Sequence, residues 1–534
     1  MATVTGILRP VKGIWIKDRT RIIVLAVLVV LLLMATQGMS AQDWVITLLR
    51  GLSVAAVTFL VASGFSLIFG LMDVLNLAHG MLFMLGAYVG WTVYTRPDTV
   101  VDVVTPLAWL IAGFMLMPLW DKLLGWISLP HRVARLPAAF RLWPWLGLLV
   151  AAVILALSLS RYPIAMWNPR IYNQSPVVYS LMLDQGQLKM PEPATANAMA
   201  LALGLGGALI GSALAAASLA GLRHRETSGP TTGRLQWGAL AVPIVLLILG
   251  LGVYAINEPL TAALFNLDTT WRFLLAVIIA TLTGAGLGGL MESTLIRPLY
   301  ARPIYQLMLT LGLGVIGREV VVALWGRTQI TMSAPTLFAA SGKGCPATSV
   351  SDWLVKQCST ISFMGARVRT YNEILVILVG VLVLIVIGLL IQRSRLGMII
   401  RAGVQDREMV EALGINVRRV FTLIFAAGVG LAALGGVIAG PAMGLSDDMG
   451  ESLLLLALIA LAIGGLTSFP GAAVGSVLVG VLQQFIIKYG QIGIQLPFLP
   501  QPFKPTPPLV PASTVLLMVI ILLVMPQGLF GRKE

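Results

Sequence analysis

Three polar side chains, Asp73, Asn76 and His79, interrupt the otherwise apolar stretch Gly70-Leu71-Met72-Asp73-Val74-Leu75-Asn76-Leu77-Ala78-His79-Gly80. Such groups at bilayer depth are expensive when unpaired, so a turn, a partner or water has to satisfy them. Asn76 and His79 are three residues apart and are expected to share a helical face. One reading is a broken helix lining a solute pathway, with Asn76, His79 and, further along, Thr310 as pathway residues. The other is a satisfied cap joining two hairpin helices. An intramembrane enzyme would need a catalytic pair on facing helices, and His79 with Asp73 is the best available. Arg318 and Glu319 place charge inside another apolar run. Neighbours in sequence do not face each other on a helix, so the two are not expected to pair. They mark a pathway or subunit contact, or else they snorkel to the interface, as Arg50 can at the end of its own run.

Other chemistry finds little to stand on. No GxxxxGK[ST] loop is present, and Gly342-Lys343 lacks the rest of that pattern, so this chain is not expected to hydrolyse ATP or to carry a cofactor. There is no HExxH and no GxSxG, and His79, His131 and His224 are the only histidines. Neither a catalytic residue nor a metal ligand is therefore assigned. The most charged stretch is Gln392 to Arg419, with six arginines and three acids, Asp406, Glu408 and Glu411. From Arg401 to Leu413 it holds no Pro and one Gly, with Arg407 and Glu411 at i,i+4. Gly414 reads as a helix stop and Asn416 as the cap of the next helix.

The elements that carry these residues are membrane helices. Of the 534 residues 58% are hydrophobic and 11% charged, whereas a soluble chain carries roughly a quarter charged residues. Apolar runs of about 15 to 25 residues occur at 22–38, 45–69, 81–95, 104–119, 143–160, 198–221, 237–256, 272–291, 304–325, 373–391, 420–440, 451–465, 471–488 and 513–526. The fold expected is an all-α, polytopic bundle of about 14 helices, some of them broken or re-entrant. Threading the loops alternately from a cytoplasmic amino terminus puts 22 Lys and Arg inside and 12 outside. This is the pattern of an inner-membrane protein with both termini in the cytoplasm. The net charge of +14 lies between apolar runs rather than in a block with aromatics, which argues against nucleic acid. The first 41 residues also fit a secretory signal, although the apolar stretch from Ile22 is near the long end for one. Residues 326–372 form the longest outside loop and hold both cysteines. A Cys345–Cys358 disulfide, expected on an oxidising face, would close a 14-residue loop. Two free thiols are the alternative. Gly428, Ala432, Gly436 and Gly440, with Gly284 and Gly288, give small-residue stripes suited to a subunit interface or a tight core.

Five ordered motifs carry a resemblance. Gly70 to Tyr88, with its Asn-Leu-Ala-His-Gly core, resembles the opening signature of permease subunits of branched-chain amino acid ABC importers. Glu292 to Gly314, with Arg297-Pro298-Leu299 and Leu309-Thr310-Leu311-Gly312-Leu313-Gly314, is similar to a further segment of that family. So are Leu396 to Arg419, Ile463-Gly464-Gly465-Leu466 with Phe469-Pro470-Gly471-Ala472, and Pro526-Gln527-Gly528-Leu529-Phe530-Gly531. The resemblance covers 45–95, 270–326 and 373–531, and the urea and short-amide importers share much the same signatures. It implies a coupling helix within Ala402 to Val417, with Arg401, Ala402, Asp406, Glu411, Ala412, Leu413 and Gly414 facing an ATPase. It also implies two cytoplasmic ATP-binding subunits, a second permease subunit, a periplasmic solute-binding protein and a small-molecule solute, all in membrane lipid. The organisation expected is a first segment 1–44, a core in three parts, 45–95, 270–326 and 373–534, an insertion at 96–269 and a periplasmic loop at 327–372. The rival class is an ion-gradient-driven secondary transporter, for which Glu319 is nearly the only acidic candidate.

Overall fold

Ser40 starts the first long helix. Its hydroxyl oxygen accepts the Asp43 N–H at 3.1 Å, and the 32 residues Ala41–Met72 (α1) follow. At 1.5 Å per residue α1 is roughly 48 Å long, more than enough to cross the ~30 Å apolar core of a bilayer. This is a computed structural model, and it describes residues 23, 24, 26, 30, 38–126, 139–161, 185, 198–226, 238–300, 302–342, 344–405, 407–494 and 501–531. The possible signal or first membrane helix therefore lies largely outside the described residues, as do His131 and Asp406.

After α1 come α2 (His79–Thr95), α3 (Pro97–Met115), α4 (Met117–Trp126), α5 (Ala139–Arg161), α6 (Ala198–Glu226), α7 (Gly238–Ala255) and α8 (Asn257–Asn266). Next are α9 (Thr269–Met291), a π turn at Glu292–Ile296, a tight turn at Arg297–Leu299 and α10 (Pro303–Trp325). The segment beyond α10 holds α11 (Val350–Lys356) and an antiparallel hairpin of β1 (Thr360–Phe363) and β2 (Ala366–Arg369). A second π turn, Thr370–Leu375, leads into α12 (Val376–Arg393), followed by α13 (Arg395–Gln405), α14 (Arg407–Ala412), α15 (Val417–Met443), α16 (Met449–Gly464), α17 (Phe469–Ile492) and α18 (Leu509–Val524). Among the described residues nine helices are long and apolar enough to span a membrane, and α7 with α8 forms a pair bent by 69°. With the shorter α2, α16 and α18, each of the thirteen apolar runs after the first contains a helix. The polytopic helical bundle expected from composition is the fold observed.

The chain divides into two compact units, one of Met1–Trp91 with Thr269–Glu534 and one of Thr92–Asp268. In the second unit, Arg96 and Asp98 form a buried ion pair at 2.6 Å. Asn257, at the α7–α8 bend, donates to Asp102 on α3 at 2.7 Å, and Thr105 donates to the Gly250 carbonyl at 3.1 Å. These bonds pin the bend to α3. The outward faces, such as Leu146, Leu149, Val153 and Leu157 on α5, are apolar, as a lipid surround requires.

In the first unit α1 packs against α12, α15, α16 and α17, and α9 packs against α15. Without a hydrophobic drive between helices in lipid, close backbone contact is the main source of stability. A Cβ at Gly64 would lie 2.2 Å from the Gly428 carbonyl oxygen, one at Gly80 2.3 Å from the Gly450 oxygen, and one at Gly436 2.0 Å from the Phe83 oxygen. Gly284 and Gly288 meet Ala433 and Val429 in the same way. The small-residue stripes thus build a tight core within this unit.

The end of the unit that carries 326–372 is stapled by the Cys345–Cys358 disulfide, with Cα atoms 5.7 Å apart. The Cys358 carbonyl accepts from Trp353 Nε1 and Thr370 Oγ1, each at 3.0 Å. At Asp352 the Lys356 ammonium beside the carboxylate holds its pKa below the ordinary value. Buried Glu373, in the π turn, pairs with Arg50 of α1 at 3.3 Å and accepts the Arg369 N–H, so Arg50 is an anchor for this cap.

Candidate functional site

Asp73 ends α1 by turning into the left-handed region, φ 54°, with its N–H on the Phe69 carbonyl at 2.9 Å. Residues 73–78 then run as irregular chain to α2, which begins at His79. Asn76 and His79 therefore do not share a helical face. The expectation fails because the left-handed Asp73 stops the helix three residues before Asn76. The broken connection is held from two sides. Val74 and Ala78 are buried among Ile68, Leu82, Met291, Ile296, Phe425 and Val429. Thr310 of α10 accepts the Leu77 N–H at 3.3 Å, with the Leu75 carbonyl oxygen 3.4 Å and the Leu307 oxygen 3.1 Å from its hydroxyl.

Within this connection polar capacity remains unspent. Asn76 is 0% exposed, and neither its amide nitrogen nor its amide oxygen has a partner among the described residues. His79 is equally buried. Its Nε2 lies 3.1 Å from the Val61 carbonyl oxygen, which assigns the ring proton to Nε2 and leaves Nδ1 as an unpartnered acceptor. Its ring meets Phe65 edge to face at 5.9 Å. Asp73, by contrast, is exposed, and among the described residues no hydrogen bond joins it to His79. Asn76, His79 and Thr310 are brought to one place.

The charged segment lies against this place. Gly414 adopts φ +80° and Asn416 Oδ1 accepts the Arg419 N–H at 3.1 Å, so the stop and the cap stand where local chemistry puts them. Asp406 falls outside the described residues, between α13 and α14. Arg401 uses its guanidinium on main-chain carbonyls at the end of α12, Ile391 at 2.8 Å and Gln392 at 3.4 Å. Glu411, Ala412, Leu413 and Gly414 are exposed. Ile400 and Val410 of the segment pack with Val417, Val420, Phe421 and Ile424 of α15 and with Leu71, Met72 and Tyr300. Met72 and Tyr300 also belong to the cluster around Val74 and Ala78.

All five motif segments meet at this end of the unit. Ser66 donates to the Leu466 carbonyl at 3.3 Å, and the Leu529 and Phe530 N–H groups donate to Ile463 and Gly464 at 2.8 and 2.9 Å. Sequence reasoning passed over the polar network joining the 292–302 segment to α15. Glu292, 0% exposed, accepts from Arg297 Nη2 at 2.8 Å, Tyr300 Oη at 2.7 Å and Thr422 Oγ1 at 2.7 Å. The Arg297-Pro298-Leu299 motif signals its near members, whereas nothing in the sequence points to Thr422. Arg318 and Glu319 do not pair with each other. Arg318 binds Asp447 at 3.1 Å and Glu451 at 3.5 Å, while Glu319 meets Arg327 at 3.6 Å. Neither contacts Asn76, His79 or Thr310.

The family model for the permease component of the branched-chain amino acid transport system matches residues 203–525, well over half of the chain. That match begins within the second unit and does not take in the 45–95 segment. The chain is 27% identical over 274 residues to the high-affinity branched-chain amino acid transport system permease protein LivH of Salmonella typhimurium, covering 51% of this chain and 79% of that protein. With LivH of Escherichia coli the figures are 26%, 274 residues, 51% and 79%. With the corresponding permease BraD of Pseudomonas aeruginosa the identity is 30% over 185 residues, 32% of this chain and 52% of BraD. No solved structure matches the chain.

Proposed function

The chain belongs to the branched-chain amino acid transport system permease-component family, and from that premise we propose that it is the membrane permease subunit of an ATP-driven importer of branched-chain or other small amino acids. It is a multi-pass protein of the bacterial inner membrane, with the 395–416 segment and both termini on the cytoplasmic side. Two ATP-binding subunits grip that segment and hydrolyse ATP. A second permease completes the pathway, and a periplasmic binding protein delivers the solute to the face carrying 326–372. Urea or a short amide is the alternative solute.

One observation carries this reading. The exposed tip around Leu413 and the unspent amide of Asn76 are joined through two apolar clusters that share Met72 and Tyr300. A push on the first reaches the second without crossing solvent. The energetics follow from linkage. ATP binding drives transport only by favouring one arrangement of the connection more strongly than the solute favours the other. Asn76, His79 and Thr310 line the pathway at this connection, where buried hydrogen-bond capacity meets the solute's polar groups and the apolar wall meets its side chain.

The test is uptake in sealed liposomes holding this chain, its partner permease and the ATPase subunits, with the binding protein outside. Labelled leucine and acetamide serve as probes. The expected result is import that requires internal ATP and ignores proton and sodium gradients. Import by the isolated chain under a proton gradient would replace this reading with secondary transport.

A further inference from the structure

We propose that Glu292, Arg297, Tyr300 and Thr422 form a strut that transmits movement of the ATPase-facing helices α13 and α14 to the broken connection at 73–78. The proposal rests on the importer reading above and assigns these four as positioning residues, with no contact to solute.

Three observations support it. First, Tyr300 is in contact with both working parts. Its ring meets Phe421 edge to face at 6.3 Å in the cluster beneath α13 and α14, and it packs on the cluster that holds Val74 and Ala78. Second, its hydroxyl is fixed. It donates to Glu292 Oε1 at 2.7 Å, while Arg297 Nε and Nη2 donate to the same carboxylate at 3.2 and 2.8 Å and Thr422 Oγ1 donates at 2.7 Å. Arg297 Nη2 also donates to Thr422 Oγ1 at 2.6 Å, closing a ring that ties α15 to the 292–302 segment. Third, Glu292 opens a π turn at the end of α9, a rare geometry concentrated at functional sites.

The chemistry argues against a purely structural purpose. Only the carboxylate of this pair is fully buried, Arg297 being a third exposed, and a buried charge that is paired is weak evidence for stability, its best-attested use being to fix register between elements. Here the elements in register are the turn carrying Tyr300 and the helix that continues from the coupling segment. With the phenol held, a displacement of Phe421 has to move the wall of the connection. With it released, the ring rotates and the displacement is absorbed.

The experiment is the solute-to-ATP ratio of the complete importer in liposomes, using whichever of leucine and acetamide the wild-type assembly imports. With ATP hydrolysis counted above that of liposomes lacking this chain, loss of assembled importer lowers both quantities together, so a variant that merely folds poorly leaves the ratio unchanged. Tyr300→Phe and Thr422→Val should each lower solute imported per ATP hydrolysed at least tenfold, and Thr422→Ser, which keeps the hydroxyl, should stay within twofold of wild type. An unchanged ratio in Tyr300→Phe and Thr422→Val overturns the strut, as does a fall in Thr422→Ser equal to that in Thr422→Val. Failure of the wild-type assembly to import either probe overturns the importer reading itself, a result distinguishable from the other two.

Discussion

Replacing Asn76 with Leu should leave a protein at least as stable as the wild type and nearly without transport. Both halves come from one fact: the side chain is fully buried, yet its amide nitrogen and oxygen bond to no described residue. An unsatisfied buried polar group costs about 1–3 kcal/mol, so an apolar side chain of similar size removes a penalty. A residue kept there for packing would not carry that penalty. A site that meets its solute through a buried amide loses much of its discrimination and throughput when the amide is removed, and import should fall about a hundredfold or more. Thermal unfolding in detergent and uptake in liposomes measure the two halves. Wild-type uptake by Asn76→Leu would remove Asn76 from the pathway.

Gly64→Leu should abolish folded protein. The Cβ would sit 2.2 Å from the Gly428 carbonyl oxygen and 3.0 Å from His79 Nε2. The obstacle on one side is backbone, which cannot swing away as a flexible side chain can. Overpacking a tight core by a methylene costs about 1–3 kcal/mol, and a whole leucine between two helix backbones costs more. Gly312→Leu is the matching control, since nothing lies within 4 Å of a Cβ there. Size-exclusion profiles of tagged variants from detergent extracts should show a monodisperse peak for the control and aggregate or nothing for Gly64→Leu. Equal peaks would mean that α1 and α15 do not cross as closely as described.

These particulars show what a single sequence can reveal. Gly414 and Asn416 were legible because helix stops and caps depend on a few adjacent residues. The break at Asn76 and His79 was legible because polar side chains in an apolar setting require a reason, whereas the place of Thr310 beside them was not. The shared helical face of Asn76 and His79 was not, because periodicity carries no sign that Asp73 takes a left-handed conformation. The Glu292 network was half hidden, as Thr422 reaches it from 130 residues away and a threonine on a membrane helix looks like any other. The helix α8 was missed, since the apolar run 237–256 stops at the bend and the Asn257–Asp102 bond that fixes it joins residues 155 apart.

The most direct test concerns the side of the membrane from which the 395–416 segment is reached. Both native cysteines are held in the Cys345–Cys358 disulfide, so Leu413→Cys, at a position 72% exposed, places a single free thiol at the tip of the segment. A membrane-impermeant maleimide should label it in inside-out vesicles and leave it untouched in intact spheroplasts, and the assembled ATPase subunits should protect it. Labelling from outside intact spheroplasts would contradict the account, because the segment through which energy is taken to enter would then face away from ATP.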